Sequence, residues 1–331
     1  MRDGAPIYLH FLDRELAESV RFAQSPELTA RIMRLAALAT VSPLYCSYSH
    51  LRRDAGFHQG LAVIGEAIAV NLCDVLLIVS NDIEEEELLR SWRKKSGNGV
   101  ERITFGAKTY TFLGDVGGAR VVSVRSEAGS SWLGASASTI AESMNLWRPS
   151  YVVLLGICFG TNRNEQRIGD VIVSTGVSLY EKSRIGTVWG FVPRWRLRGE
   201  RRDSSRILVD RFRASARTWV SGRTHFGLML SGEKLIDNPL VRMALVRGEP
   251  DAVGGEMEGM GVVLATAESK VQWIIVKGIA DWADGKKKRS EQENQTLAAR
   301  NAVGLVMHTL ETDGFRLYAG KLWESELYIL G

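Results

Sequence analysis

The stretch of the chain with the clearest chemical potential is residues 254–261, where Glu256 and Glu258 bracket Met257 between glycines. Glycines allow the backbone to approach a ligand closely. An ionised Glu offers two acceptor oxygens and no donor, so a carboxylate beside such glycines can accept both hydrogen bonds of a sugar diol. An ordinary helix start is the alternative interpretation, because the first turn of a helix also favours Glu.

Two further acidic segments follow apolar runs. Residues 82–87 come directly after the run 75–79, and Asp281 follows the run 273–276 and stands beside Trp282. Consecutive acids at a helix start are typical of a solvated face, but one that points back over the strand end can be dehydrated and act as a general base. A carboxyl group beside a buried strand and an indole is suited to proton donation, because burial raises its pKa.

Acids at several strand ends suit the cleavage of a glycosidic bond, whose transition state resembles an oxocarbenium ion. One acid would protonate the leaving base, another would hold the sugar hydroxyls, and a third would activate water. A sugar-binding module would carry the same set of residues, so the acids alone leave both possibilities open.

The elements that must position these acids alternate between strand and helix from residue 74 onward. The runs that predict buried strands are 75–79, 151–155, 171–174, 227–230 and 273–276, and residues 109–113 and 119–124 predict a hairpin. A glycine turn is predicted at 156–160, where backbone N–H groups could face a substrate. This order predicts an α/β fold with a mostly parallel sheet, in which ligands lie at the carboxyl ends of the strands. Residues 1–70 carry helical patterns without recognisable chemistry and predict a separate appendage to a domain formed by residues 71–331.

The composition is that of a globular protein, with 45% hydrophobic and 24% charged residues among 331 and a net charge of +4. Three cysteines without metal-ligand spacing predict a reducing, cytoplasmic setting and no metal. The most apolar stretch, residues 61–79, is interrupted by charged and polar residues, which argues against a membrane span. Ten arginines between Arg194 and Arg223 indicate either a solvated face or a rim that contacts phosphates.

Five segments occur in an order that resembles the nucleoside phosphorylase and methylthioadenosine/S-adenosylhomocysteine nucleosidase superfamily. After the strand with an acidic helix start come "LLGICFG" with "IGDVIVST", "GLMLSGEKLIDNP", "GGEMEGMG" and "VKGIADWADGKKK". The resemblance covers residues 74–311 and is strongest to a branch found in bacterial antiphage defence and signalling systems. It implies an α/β/α sandwich around a mixed sheet, cofactor-free cleavage of N-glycosidic bonds, and homodimers or larger assemblies.

The resemblance also implies roles for individual residues. Asp281 matches the acid that protonates the purine at N7, and Glu258 matches the carboxylate that binds the ribose hydroxyls. The acid that positions the attacking water is Glu84 in one register and Glu85 in the other, and we favour Glu84. The remaining residues predicted to contact the substrate are Glu256, Met257, Leu235 and Ile236, which flank the sugar or the base, and Ile157, Cys158, Phe159 and Gly160 of the glycine turn.

Two departures from the family pattern refine the prediction. Phosphorylases of this superfamily bring an arginine just before the glycine turn to hold phosphate, whereas residues 152–155 here are Val-Val-Leu-Leu. Without a charge-assisted donor phosphate is poorly held, so hydrolysis is favoured over phosphorolysis. The arginine-rich insertion between Glu181 and Arg223 suggests a substrate with a 5′ phosphate, contacted by Lys182 or Arg184, although a solvated loop at an oligomer edge would look the same.

The sequence therefore predicts a cytoplasmic, adenine-directed purine nucleosidase that acts on a nucleoside or on a nucleotide such as AMP or ATP, as a possible defence effector. One alternative is a purine nucleoside phosphorylase, and another is a non-catalytic module that senses nucleotides. Nucleic-acid binding is disfavoured, because aromatic residues are not interleaved with the basic run.

Overall fold

The computed structural model describes residues 73–96, 99–181, 183–188, 192–197, 199–285, 291–312 and 315. The side chains of residues 183–185, 187–188 and 192–197 are outside this description. The predicted helical appendage of residues 1–70 lies outside the described residues, so the division into two domains stays a prediction.

Strands and helices alternate through most of the described chain. The strands are β1 (Val75–Val79), β2 (Glu101–Phe105), β3 (Lys108–Val116), β4 (Ala119–Arg125), β5 (Tyr151–Gly160), β6 (Val171–Leu179), β7 (Ser183–Val188), β8 (Val192–Leu197), β9 (Arg201–Asp203), β10 (Thr224–Ser231), β11 (Ala252–Glu256) and β12 (Gln272–Asp281). The helices are α1 (Asp82–Ser96), α2 (Ser136–Trp147), α3 (Arg206–Ala216), α4 (Pro239–Gly248), α5 (Gly259–Thr266) and α6 (Glu291–Glu311).

The central sheet is mixed, and its strand order is β11-β10-β6-β12-β5-β1-β4-β3-β2, with β9 paired to β6. Strands β4, β1, β5 and β12 form one parallel block, and β6, β10 and β11 form a second. The blocks meet through antiparallel β12–β6 pairing, and β11 also pairs antiparallel with β5. Because β5 therefore has both β12 and β11 as neighbours near its carboxyl end, that end is enclosed on two sides.

Helices cover both faces of the sheet. Helices α1, α3 and α6 contribute to one apolar core together with alternate residues of the strands, such as Val75, Leu77 and Val79 of β1. Helix α2 packs against α5 and contacts β1 on the other face. Alternate residues of a strand point to opposite faces, so a strand covered on both sides reads as a continuous apolar run. The predicted α/β fold with a central mixed sheet is confirmed.

Two strands extend further than their apolar runs predict. Strand β1 spans the predicted residues 75–79, but β5 continues through the predicted glycine turn to Gly160, and β12 continues to Asp281. The turn prediction at 156–160 is wrong because β12 and β11 both pair with this segment. As a result, residues predicted to lie in loops are held rigidly in strands at the centre of the molecule.

Candidate active site

The carboxyl end of β5 is the point at which the predicted acidic residues converge. Strand β1 leads into α1 beside it, and β12 places Asp281 opposite Phe159. Strand β11 pairs Gly255 with the same Phe159 from the other side. The three segments that carry Glu84, Glu256–Glu258 and Asp281 thus reach one place through strand pairing.

Glu84 sits in the first turn of α1 and points back over the end of β1. The side chain of Asn81 accepts from the Glu84 N–H at 2.9 Å and so caps the helix. The Glu84 carboxylate accepts from Ser80 N at 2.6 Å and from Ile157 N at 2.9 Å, and the residue is only 1% exposed. Burial raises the pKa of Glu84, Lys277 lowers it, and the charge of Glu258 raises it further.

The neighbouring residues explain why Glu84 rather than Glu85 occupies this position. A Cβ added to Gly156 would lie 2.1 Å from Glu84 Oε1, so only glycine leaves room for the carboxylate. Glu85 is half-buried on the helix surface, 3.8 Å from both Arg102 and Arg125. Glu85 is therefore outside the cluster, because the next residue of a helix points about 100° away.

Glu258 and Lys277 form a buried ion pair at the centre of the cluster. Lys277 Nζ donates to Glu258 Oε2 at 3.0 Å, and Gly129 N donates to Glu258 Oε1 at 3.2 Å. Lys277 is fully buried and Glu258 is 6% exposed. Burial lowers the pKa of Lys277, but Glu258, Glu84 and Glu256 together raise it above its ordinary value. The ammonium group thus stays charged and is shared by three carboxylates.

Glu256 holds the turn that carries Glu258. Its carboxylate accepts from the backbone N–H groups of Glu258 at 2.9 Å and of Gly259 at 2.9 and 3.0 Å. Burial raises the pKa of Glu256 to about 7, Lys277 lowers it, and Glu258 raises it. Its oxygens thus serve the first N–H groups of α5 and hold the turn that carries Glu258, and its predicted contact with the substrate stays a prediction. Met257 is half-buried, and its carbonyl accepts from Ser130 Oγ at 2.7 Å.

Asp281 is the last residue of β12 and is half-buried. Its Oδ1 accepts from Ala283 N at 2.7 Å, which fixes the turn that follows the strand. Asp281 and other charged residues of the cluster act on the same buried thiol, that of Cys158. Burial raises the pKa of the Cys158 thiol well above its usual range, Lys277 lowers it, and Asp281, Glu256 and Glu84 raise it. The electrostatic effect of Asp281 on this thiol therefore overlaps with those of Lys277, Glu256 and Glu84.

An apolar pocket wall adjoins the acids. Phe159 stacks against the backbone of Gly255, where an added Cβ would lie 2.2 Å from the ring, and it belongs to an apolar cluster with Ile236. Of the two residues predicted to flank the base, Ile236 is buried and Leu235 is 69% exposed. Gly160 lies under Trp282, whose ring would be 2.8 Å from an added Cβ. Flat apolar surfaces next to acids suit a planar base attached to a sugar.

The two predicted phosphate contacts cannot be placed. Lys182 lies outside the described residues, and Arg184 is in β7 with a side chain that lies outside them as well. Strands β7 and β8 form a separate hairpin that interrupts the chain directly after Glu181.

Sequence reasoning missed Lys277. A lysine within the otherwise apolar run 273–280 had to be buried with a partner, because lysine is almost never fully buried alone. That signal was present in the sequence. The contact between Gly129 and Glu258 left no such signal, because it joins residues that are distant along the chain.

Comparisons with known proteins show which family and fold the chain resembles. The family model described as "Phosphorylase superfamily" matches residues 74–311. The chain is 29% identical over 194 residues to a death domain-containing ATP nucleosidase from Amphimedon queenslandica, a match that covers 51% of this chain and 35% of that protein. This chain therefore spans about a third of the length of that relative.

Two further relatives are nucleosidases. The chain is 25% identical over 236 residues to the 5′-methylthioadenosine/S-adenosylhomocysteine nucleosidase of Listeria monocytogenes serotype 4b (strain F2365), which covers 69% of this chain and 95% of that protein. The crystal structure of the enzyme of that name from Neisseria meningitidis, in complex with methylthio-immucillin-A, superposes with a TM-score of 0.61 at 24% identity. It covers 73% of this chain and 100% of its own, and it shows the same fold. Among the residues that the structure describes, no helix is long and apolar enough to cross a membrane.

Proposed function

The chain belongs to the phosphorylase superfamily, and from this premise we propose that it is an adenine-directed nucleosidase. It hydrolyses the N-glycosidic bond of a purine nucleoside or nucleotide and releases free base and ribose or ribose phosphate. The observation that carries the proposal is the set of buried carboxylates around Lys277 at the end of β5. Three carboxylates around one ammonium give the buried site an excess of negative charge, whose effect is stronger there than in water. Such a site favours a sugar on which positive charge develops.

Each acid has one part in the reaction. Asp281 donates a proton to N7 of the purine, so that the electron pair of the breaking C1′–N9 bond leaves on a neutral base. Glu258 accepts hydrogen bonds from the ribose hydroxyls. Glu84 accepts a proton from the water whose oxygen bonds to C1′. The proton gained at Glu84 and the proton lost from Asp281 balance, and exchange with solvent restores both groups.

Hydrolysis fits this site better than phosphorolysis. Both oxygens of Glu84 are held by backbone N–H groups, and a carboxylate oxygen can accept a further hydrogen bond from an attacking water. Where phosphorylases carry an arginine, this chain has the buried apolar residues Val152, Val153, Leu154 and Leu155. Of the residues that the structure describes, Lys277 is already paired with Glu258 and is not free to hold a phosphate anion.

The names of the relatives support an adenine-containing substrate, since one is an ATP nucleosidase and another acts on methylthioadenosine and S-adenosylhomocysteine. We extend the proposal to a substrate with a 5′ phosphate that contacts Lys182 or Arg184. Replacing both residues by alanine should weaken the turnover of AMP and ATP more than that of adenosine. Equal losses for all three compounds would remove the phosphate contact and leave the nucleosidase proposal intact.

A panel of substrates tests the function directly. Purified protein is incubated with adenosine, AMP, ATP, methylthioadenosine and guanosine, with and without inorganic phosphate, and the free base is separated by chromatography. We expect adenine to be released without phosphate and guanine to be released more slowly. Release that requires phosphate would establish the phosphorylase alternative. Binding without release from any compound would establish the nucleotide-sensing alternative.

Three wider proposals concern the cellular compartment, the assembly and the biological role of the protein. The buried free thiols of Cys73 and Cys158 suit a reducing compartment such as the cytoplasm. Assembly into a homo-oligomer and action as an effector of antiphage defence follow from the family resemblance alone.

A further inference from the structure

Two loops at the carboxyl ends of β4 and β10 are joined by one carboxylate. Residues 126–135, here called the serine loop, connect β4 to α2, and Glu233 lies in the loop that follows β10. Glu233 Oε2 accepts from Ser130 N at 3.0 Å, and Glu233 Oε1 accepts from Ser131 Oγ at 2.8 Å. The two oxygens therefore hold two different donors of the same loop.

The serine loop contacts the residues predicted to bind the sugar. Gly129 N donates to Glu258 Oε1 at 3.2 Å, and Ser130 Oγ donates to the carbonyl of Met257 at 2.7 Å. Gly129 has a φ of 91°, which favours glycine, and a Cβ there would lie 2.9 Å from Glu233 Oε2. The carboxylate of Glu233 thus lies directly against the residue whose N–H contacts Glu258.

The backbone around Glu233 is itself held by residues that follow β6. Glu181 Oε1 accepts from Glu233 N at 2.8 Å, and Glu181 also pairs with Lys234. Tyr180 OH donates to the carbonyl of Lys234 at 3.1 Å. Because Tyr180 and Glu181 are the first two residues after β6, which belongs to the central sheet, the backbone of Glu233 is anchored to a rigid element.

We propose that Glu233 is a positioning residue for the sugar side of the site. It fixes the serine loop so that the N–H of Gly129 stays on one oxygen of Glu258 while Lys277 holds the other. Glu258 is then oriented before the substrate arrives, and less binding energy goes into ordering it. The role rests on the proposed function, since it concerns the carboxylate that would bind ribose.

The test compares Glu233→Gln with Glu127→Gln. Gln at 233 keeps one acceptor oxygen, but its amide nitrogen cannot accept from the second donor of the loop. Glu127 is exposed in the same loop and serves as a matched control. For Glu233→Gln we expect kcat/KM for adenine release to fall about 10-fold, mainly through a higher KM, because ground-state and transition-state binding of the sugar weaken together. Glu127→Gln should behave like the wild type.

A double-mutant cycle separates positioning from a general structural effect. Ser131→Ala should lower kcat/KM about threefold in the wild type and cause no further loss in Glu233→Gln, because the two residues share one hydrogen bond. Independent losses that multiply would overturn the proposed coupling, as would a kcat/KM of wild-type size in Glu233→Gln.

Hydrogen exchange supplies a readout that does not depend on catalysis. In Glu233→Gln the amides of Gly129 and Ser130 should exchange faster than in the wild type, whereas Glu127→Gln should leave them unchanged. Unchanged exchange in Glu233→Gln would overturn the inference even if the enzyme is active. If the wild type released no base at all, the proposed function would fail, and the exchange result would still decide whether Glu233 holds the loop.

Discussion

The two ends of the central sheet both bury carboxylates but neutralise them differently. At the amino ends, Asp74 precedes β1 and accepts from Arg120 through its backbone N–H, Nε and Nη2 at 2.8, 3.0 and 2.9 Å. Asp74 thus has its own basic partner, and the Arg120 side chain reaches the solvent. At the carboxyl ends, Glu84, Glu256 and Glu258 share the single buried Lys277.

This difference separates stabilisation from function. An acid with a dedicated partner has no charge to offer a ligand, and its pairing is relaxed by the nearby solvent. Three acids around one buried ammonium are costly to desolvate, and two of them have raised pKa values as a result. Buried charges that are not fully compensated are common at functional sites, where a ligand supplies the missing positive charge. A sugar would supply that charge only in the transition state, when it has oxocarbenium character.

The largest expected effect concerns Asp281, on which proton donation depends. Asp281→Asn keeps the shape and the acceptor oxygen for Ala283 N but removes the acidic proton. We expect the rate of adenine release to fall about 1,000-fold while substrate binding stays within a few fold, because general acid catalysis contributes about 10²–10⁴. Single-turnover kinetics and equilibrium binding measure the two separately. Turnover close to the wild type would contradict the mechanism.

Lys277 is the next most sensitive position, because it is the cation that compensates the cluster among the residues that the structure describes. Lys277→Met should lower the free energy of unfolding by about 3 kcal/mol or more, since it leaves Glu258 buried without its cation. Urea unfolding at pH 7 measures this loss. The deficit should shrink at lower pH, where the carboxylates take up protons. A deficit that is independent of pH would show that packing rather than charge holds Lys277 in place.

The free energy of unfolding and the rate of adenine release of the wild type should both depend on pH because of the buried carboxylates at the carboxyl ends. The pKa of Glu256 is about 7 in the folded protein against an ordinary value of 4.5. The folded state therefore binds the proton more tightly, and this group makes the free energy of unfolding decrease as the pH rises from about 4.5 to about 7. Adenine release should increase as the pH rises, because Glu84 also has a raised pKa and must be ionised to accept a proton from water.

Glu256→Gln isolates this contribution. The variant should lose the decrease in unfolding free energy across the interval, whatever its absolute stability, because the titrating group is gone. Chemical unfolding at several pH values gives the slope for both proteins. Parallel curves for the variant and the wild type would assign the slope to another group.

The sequence predicted the fold where one physical rule dominated. The residues 75–79 form a fully buried strand because five apolar residues in a row fit only a position covered on both faces. The ends of β5 and β12 were not predictable in the same way. Gly156 and Gly278 look like breakers, but each glycine makes room for a neighbour, namely the carboxylate of Glu84 and the backbone of Ala298. Such contacts depend on tertiary structure, and the secondary-structure propensities of neighbouring residues do not predict them.

The candidate site also contains residues that the local sequence identifies and contacts that only the tertiary structure reveals. Glu84 and Asp281 were identifiable because they follow apolar runs, and Glu258 because it lies beside glycines; the structure brings the segments of all three to the end of β5. Their roles stay predictions until they are measured. Glu256 was predicted to contact the substrate, and its sequence context does not reveal that its oxygens accept from the first N–H groups of α5. The tie between Glu233 and the serine loop spans 103 residues and carries no local pattern.

The smallest expected effect lies at the opposite end of the sheet and completes the comparison. Arg120→Met removes the partner of Asp74, as Lys277→Met removes that of Glu258, but the Arg120 side chain is 49% exposed. We expect a loss of only about 1 kcal/mol in unfolding free energy, because water can reach the abandoned carboxylate and the backbone N–H of residue 120 still donates to it. Adenine release should be unchanged. Urea unfolding under the same conditions measures the loss of unfolding free energy in both variants. Equal losses would show that solvent access does not distinguish the two ends of the sheet. The excess charge near β5 would then need another explanation.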